Sequence, residues 1–205
     1  MRLINTICSV VSPQAHRFAE EKLAFHQAMI GRQIERELQI AVHDGVSEFR
    51  VGMNMGADIW VAARILRLRD HEFPDLRLYC YLPCETQANH WPEHWREQYF
   101  DILAKADEVL ILQSRYSRGC MARRSTEMLQ GSGRLIAVHD NVAGGGIDRT
   151  VSYAEAKGIE TIVLQPLEGP PVPRVLSNYS SNRLRLSSAY AARSSTGRSA
   201  INMAR

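Results

Sequence analysis

Apolar positions along the chain fall into short runs that alternate between two periods. Residues 48–52, 76–82, 108–112, 135–139 and 159–164 read as short strands, and before them residues 3–11 (LINTICSVV) are rich in β-branched side chains and apolar on both faces. That is the pattern of strands buried from both sides. Between them, residues 29–42 keep Ile30, Ile34, Leu38 and Ala41/Val42 on one helical stripe. A helix from Gly56 to about Asp70 is expected to turn Ile59, Ala62, Ala63 and Leu66 inward. Trp95, Tyr99, Ile102, Leu103 and Ala106 mark a third helix, with Pro92 in its first turn. Residues 120–130 and 150–157 predict two more, the last stopped by Gly158. Residues 16–26 fit either a helix or an ordered loop.

Strands alternating with helices predict one α/β domain over residues 1–168. Its sheet is expected to be mostly parallel, with about six strands and helices on both faces. With 205 residues, 45% of them hydrophobic, the chain can bury one good core. After Gln165 the character changes. Residues 169–205 run from PPVPR into Ser, Arg, Ala and Asn, and are expected to be a Pro-rich linker and a disordered tail.

Charge divides the same way. The formal net charge is +3, from 25 basic and 22 acidic residues, but six arginines and no acid lie in 170–205. Residues 1–169 therefore hold 19 basic against 22 acidic groups, a net −3. The tail suits a weak nucleic-acid contact, and the body does not. No apolar run approaches the ~20 residues of a membrane span. Residues 1–11 lack the features of a secretory signal. Cys8, Cys80, Cys84 and Cys120 sit in or beside predicted elements, as reduced thiols do. A cytoplasmic protein with no membrane partner is expected.

The stretch VGMNMGADIWVAA, residues 51–63, carries the first candidate chemistry. Gly52 and Gly56 bracket Met53, Asn54 and Met55, so the backbone can turn sharply with its N–H groups uncovered. The helix that follows has a partial positive charge at its start, and the turn suits a phosphate or carboxylate. A tight turn that binds nothing has the same sequence. A side chain at Gly56 is expected to block an anion and leave the fold largely intact. Gly144, Gly145 and Gly146 offer a second set of bare amides, or a plain surface turn. Asp58 fits ribose hydroxyls, or complements the helix dipole. Arg124 suits phosphate, and Tyr116 could stack on a base. Trp91, Trp95 and Tyr99 read mainly as core, with Trp91 the exception at a strand–helix junction. Cys80, Cys84, His90 and His94 are zinc-ligand types, but their spacing is not that of a structural zinc site, and no metal is expected.

These segments, with LPCETQANHW, QYFDILAKADEVLIL and the run RRSTEMLQGSGRLIAVHDNVAGGGIDRTVSYAEAKGIETIVL, resemble the YpsA-like branch of the SLOG superfamily, which includes the DprA and Lonely-guy proteins. The resemblance implies a Rossmann-like fold binding a nucleotide or nucleotide-derived ligand such as ADP-ribose. It assigns the ligand to Gly52, Gly56 and Asp58, to Pro83, Gln87 and Trp91, to Tyr116, Ser117 and Gly119, to Arg124, and to Gly145 and Gly146; the bare turns themselves add Asn54 and Gly144 as candidates. Family members commonly carry Gly-His-Arg-Pro after strand one. Here Val10, Val11, Ser12 and Pro13 stand there, with His16-Arg17 a few residues later. Ile147 replaces the usual threonine of the second glycine motif.

Binding without catalysis, and no separate cofactor, are expected. A Lonely-guy-like nucleoside-monophosphate N-glycosidase is the first alternative. Arg124 matches its catalytic arginine, but Thr150 stands where its acid/base glutamate belongs. A DprA-like nucleic-acid-handling protein is the second. The expected partners are a small-molecule nucleotide ligand and a second copy of the chain, plus nucleic acid held weakly by the tail.

Overall fold

Each apolar run becomes a strand because its side chains find a hydrophobic layer on either side of one sheet. The computed structural model describes residues 5–14, 23–139 and 143–165. The elements are β1 (Ile7–Val11), α1 (Leu23–His43), β2 (Glu48–Val51), α2 (Ala57–His71), β3 (Arg77–Leu82), α3 (Glu93–Lys105), β4 (Glu108–Ile111), α4 (Cys120–Leu129), β5 (Arg134–Val138), α5 (Gly146–Ala156) and β6 (Glu160–Leu164). The six strands form one sheet in the order β4-β3-β2-β1-β5-β6, and every neighbouring pair is parallel. Val10 pairs with Val51 on one side and Ile136 on the other, so β1 lies at the centre.

Two apolar layers cover this sheet. Ile30, Ile34 and Leu38 of α1, Ile59 and Ile65 of α2, and Trp95 and Tyr99 of α3 pack on Phe49, Val51, Leu78 and Cys80. Met128 and Leu129 of α4, with Ile147, Val151 and Ala154 of α5, pack on Val11, Leu135 and Ala137. The alternation of Val10 and Val11 between the two layers is the period of two expected of a strand. The predicted stripe of α1 is buried as read. Its end is set by Gly45 at φ 96°, where Val46 N–H reaches the Ala41 carbonyl.

The structure departs from the sequence reading in a few places. Ala63 faces outward, while Val61 and Ile65 are fully buried. α2 is flanked by α1 and α3, so it buries a face wider than one stripe. Pro92 is the N-cap of α3 rather than part of its first turn. α5 begins at Gly146, a turn before residue 150, with Gly145 as its N-cap. Glycine's low helix propensity hid that first turn. α1 takes in residues 23–26 of the undecided stretch. The rest of that stretch, with His16-Arg17, and the linker and tail of residues 169–205 lie outside the described residues.

Strand order reverses direction at β1: the chain moves outward through β2, β3 and β4, then returns to place β5 on the other side. The crevice beyond the carboxyl ends of strands at such a reversal is where open α/β sheets bind ligands.

Candidate functional site

The chain leaving β2 is held in an unusual turn. Met53 is fully buried with φ at 54°, the left-handed region that costs a non-glycine residue on the order of 1 kcal/mol or more. Gly56 adopts φ 110° and ψ −121°, open in practice only to glycine. The expectation that the fold tolerates a side chain at Gly56 is therefore overturned: valine there would strain the backbone before it met any ligand.

A polar network holds this turn. The Ser12 hydroxyl donates to Asp58 Oδ1, and the Asn54 N–H donates to Asp58 Oδ2 at 2.9 Å. Asn54 Nδ2 donates to the Ser12 carbonyl at 2.9 Å. Arg124 reaches in from α4, and its Nη1 donates to the Gly52 carbonyl at 2.7 Å and to Asn54 Oδ1 at 2.9 Å. The Gln87 amide donates to the Met53 carbonyl, and Gln14 bridges Gly56 across the turn. Asp58, Asn54 and Arg124 are all buried.

Burial dominates the electrostatics. It pushes the Asp58 carboxyl up from 3.8 to about 6, against the opposing pull of Arg124 and of the hydrogen bonds from Ser12 and Asn54. Burial also lowers Arg124 below its ordinary value, and the Asp58 charge partly restores it. Two buried atoms stand unpaired beside the turn, Arg124 Nε and Gln87 Oε1. Perturbed titratable groups gathered in a cleft are a mark of functional sites.

Gly52 has a packing reason that the sequence did not show. A Cβ added there would lie 2.7 Å from Arg124 Cζ and 2.9 Å from Nε. Two hydrogen bonds and burial hold the guanidinium in place, so it cannot simply swing aside. Gly52→Ala is expected to destabilise the fold by about 1–3 kcal/mol, read from the urea midpoint. An unchanged midpoint would show that Arg124 has room to shift.

The second glycine turn opens after β5, the neighbour of β1. Gly144 is left-handed, with φ 68°, and its N–H donates to Asp148 Oδ2 at 2.8 Å. One of the amides expected to face an anion is thus already engaged by a carboxylate of the same chain. His139 Nε2 lies 3.6 Å from the other oxygen of Asp148. A Cβ at Gly146 would meet nothing within 4 Å, so packing does not require glycine there. Thr150 is buried, and its hydroxyl donates to the Gly146 carbonyl at 2.8 Å.

Of the residues singled out in the sequence, the structure joins Gly52, Asn54, Gly56, Asp58, Gln87 and Arg124 in one network. Asp58 is fully buried with both oxygens held by protein groups, so its observed work is to fix the turn. Pro83 is buried just after β3, and Trp91 packs edge-on to Tyr99 with ring centres 5.2 Å apart. Tyr116 is exposed beyond β4. Ser117 accepts a hydrogen bond from Gln113 at 2.8 Å, and Gly119 caps α4 with φ 89°.

Sequence reading missed Ser12, which it counted only as part of a lost motif. The available signal was a polar residue between Val11 and Pro13 at a strand end. Cys80 and Cys84 are buried, His90 and His94 are exposed, and no group of metal-ligand residues gathers among the described residues. A shallow depression of about 430 Å³ near Asn5, Gln130 and Lys157 opens at the amino ends of the strands, away from the crevice.

Residues 18–163 match the family model described as the YspA SLOG family. The UPF0398 protein of Bacillus cereus strain G9842 is 29% identical over 131 residues, covering 63% of this chain and 71% of the relative. A UPF0398 protein of Bacillus thuringiensis strain Al Hakam has the same identity over the same length. The family match spans well over half of the chain, and the chain belongs to the YspA SLOG family.

Proposed function

We propose that the crevice between the Gly52–Asp58 and Gly144–Gly146 turns binds a nucleotide-derived ligand, ADP-ribose-like, and does not hydrolyse it. One observation carries this reading: a buried arginine, Arg124, is held at the strand ends where the sheet order reverses, with its Nε–H unpaired. An uncommitted buried donor is costly unless something accepts from it, and charge-assisted bonds to anions are among the strongest available. Gly146 opens α5 with free space where a side chain would be, which suits close approach of a phosphate.

The chemistry at Thr150 supports binding over cleavage. Its hydroxyl is committed to the Gly146 carbonyl and cannot act as a base near neutral pH. General acid–base help is typically worth ~10²–10⁴-fold in rate. Asp148 is engaged with Gly144 and lies near His139. The four cysteines are buried free thiols, which fits a cytoplasmic setting, and no described helix is long and apolar enough to cross a membrane.

A thermal-shift screen of the full chain against ADP-ribose, NAD, nucleoside monophosphates and cyclic dinucleotides is expected to find a saturable ligand. Gly146→Val should keep the melting temperature and weaken that ligand by at least about tenfold, roughly 1.4 kcal/mol. Equal affinity in the variant would place the ligand elsewhere. Incubation with AMP, GMP and CMP is expected to release no free base. Steady, enzyme-dependent release of free base by the folded parent would replace the binder with an N-glycosidase.

A further inference from the structure

Four of the five large apolar side chains exposed among the described residues gather along one edge of the sheet. Phe100 on α3 is 54% exposed, Val109 and Ile111 on β4 are 36% and 48%, and Tyr116 in the next loop is 70%. β4 ends the strand order and, among the described residues, pairs with β3 alone, so its outer side presents backbone groups that no described strand meets. Exposed edges are ordinarily blunted by charge, proline or a covering element. β4 reads Glu-Val-Leu-Ile, with one charge and no proline. The opposite edge strand, β6, buries Thr161 and Leu164.

We propose that β4 is a homodimer interface, where it pairs antiparallel with β4 of a second copy and continues the sheet across a twofold axis near Leu110. Several features select a second copy as the occupant. An antiparallel pair of identical edge strands satisfies itself by symmetry, because each contact is repeated with the partners exchanged. The ends of the strand carry opposite charge: Glu108 begins it, and Arg115 and Arg118 stand exposed just beyond it. None of the three forms an ion pair with another described residue. Antiparallel alignment brings the acid of one copy toward the arginines of the other. A stable interface buries about 1,200–2,000 Å² in total, more than four paired residues supply, and Phe100 and Tyr116 extend the patch beyond the strand.

Sedimentation velocity on the full chain over a concentration series tests this. The wild type is expected to dimerise, and Ile111→Lys to weaken association by at least about tenfold. Ile111 is half exposed, so the variant should keep its fold, checked by its melting curve. Glu108→Arg and Arg115→Glu should each weaken the dimer, and the double variant should restore it, since the reversed charges again meet opposites across the axis. A wild type that stays monomeric at the highest concentration overturns the proposal. So does a dimer untouched by Ile111→Lys and both charge variants. Hydrogen-exchange protection of residues 108–112 that does not depend on concentration would also overturn it, by showing that another part of the same chain covers the edge.

Discussion

Arg124→Ala is expected to lower the free energy of unfolding by about 3–5 kcal/mol, the largest single effect in the site. Removing the guanidinium leaves the buried Gly52 carbonyl and Asn54 Oδ1 without their donor. Each unsatisfied buried group costs about 1–3 kcal/mol. It also removes the positive charge that helps keep Asp58 ionised in a site whose burial disfavours that form. Against a total stability of roughly 5–15 kcal/mol for a domain, such a loss leaves little margin. Arg124→Lys should recover only part of it, because an ammonium on a thinner stem does not reproduce the planar fork. Urea unfolding of the parent, Arg124→Ala, Asp58→Asn and the double variant measures the coupling. The double variant is expected to cost less than the sum of the two, since both act on one network. Strict additivity would separate Arg124 from Asp58 and dissolve the network as a unit.

Stability should fall by up to about 3 kcal/mol as pH rises from about 4 to 6, through Asp58. The sign follows from proton counting. An unfolded aspartate loses its proton near 3.8, while the buried Asp58 keeps it to about 6. Between these values the folded state binds more protons than the unfolded one, so raising the pH favours unfolding. A shift of about two units corresponds to roughly 3 kcal/mol at 1.36 kcal/mol per unit. Above about pH 6 both states are ionised and the term is constant.

Asp107 acts in a separate window. Burial works against its charge, but the Leu78 N–H, Arg77 and Arg69 more than offset this and hold its carboxyl below the usual value. Its stabilisation is therefore lost only as pH drops below about 4, the ordinary aspartate range. Urea midpoints taken between pH 4 and 7 should show the fall in the parent and a flatter profile in Asp58→Asn. Matching profiles would mean that Asp58 does not titrate in this range.

Much of the architecture was legible in residue order. The β-branched first strand, the stripe of Ile30, Ile34 and Leu38, and the stop at Gly158 are local signals, because strand and helix periods are set by neighbouring residues. Alternation of the two then implied a parallel sheet covered on both faces, as observed. Gly52, Asn54, Gly56, Asp58, Gln87 and Arg124 were among the wider set of candidates raised by the resemblance and by glycine's freedom in turns.

What each of these residues does was decided only in three dimensions. Ser12 meets Asp58 across 46 positions, and Arg124 meets Gly52 across 72. No window of sequence contains such a pair. Glycine at position 52 reads as room for a phosphate until the fold places a guanidinium 2.7 Å from where its Cβ would be. Met53 carries no mark of its left-handed backbone, because the groups bonded there, Gln87 to its own carbonyl and Arg124 to that of Gly52, lie far along the chain. Ala63 faces outward and Val61 is buried in an α2 that has helices on both flanks, and β4 stays exposed as the last described strand on its side. Periodicity sets which residues share a face of their own element. The neighbours that cover that face, or leave it bare, come from contacts between distant parts of the chain.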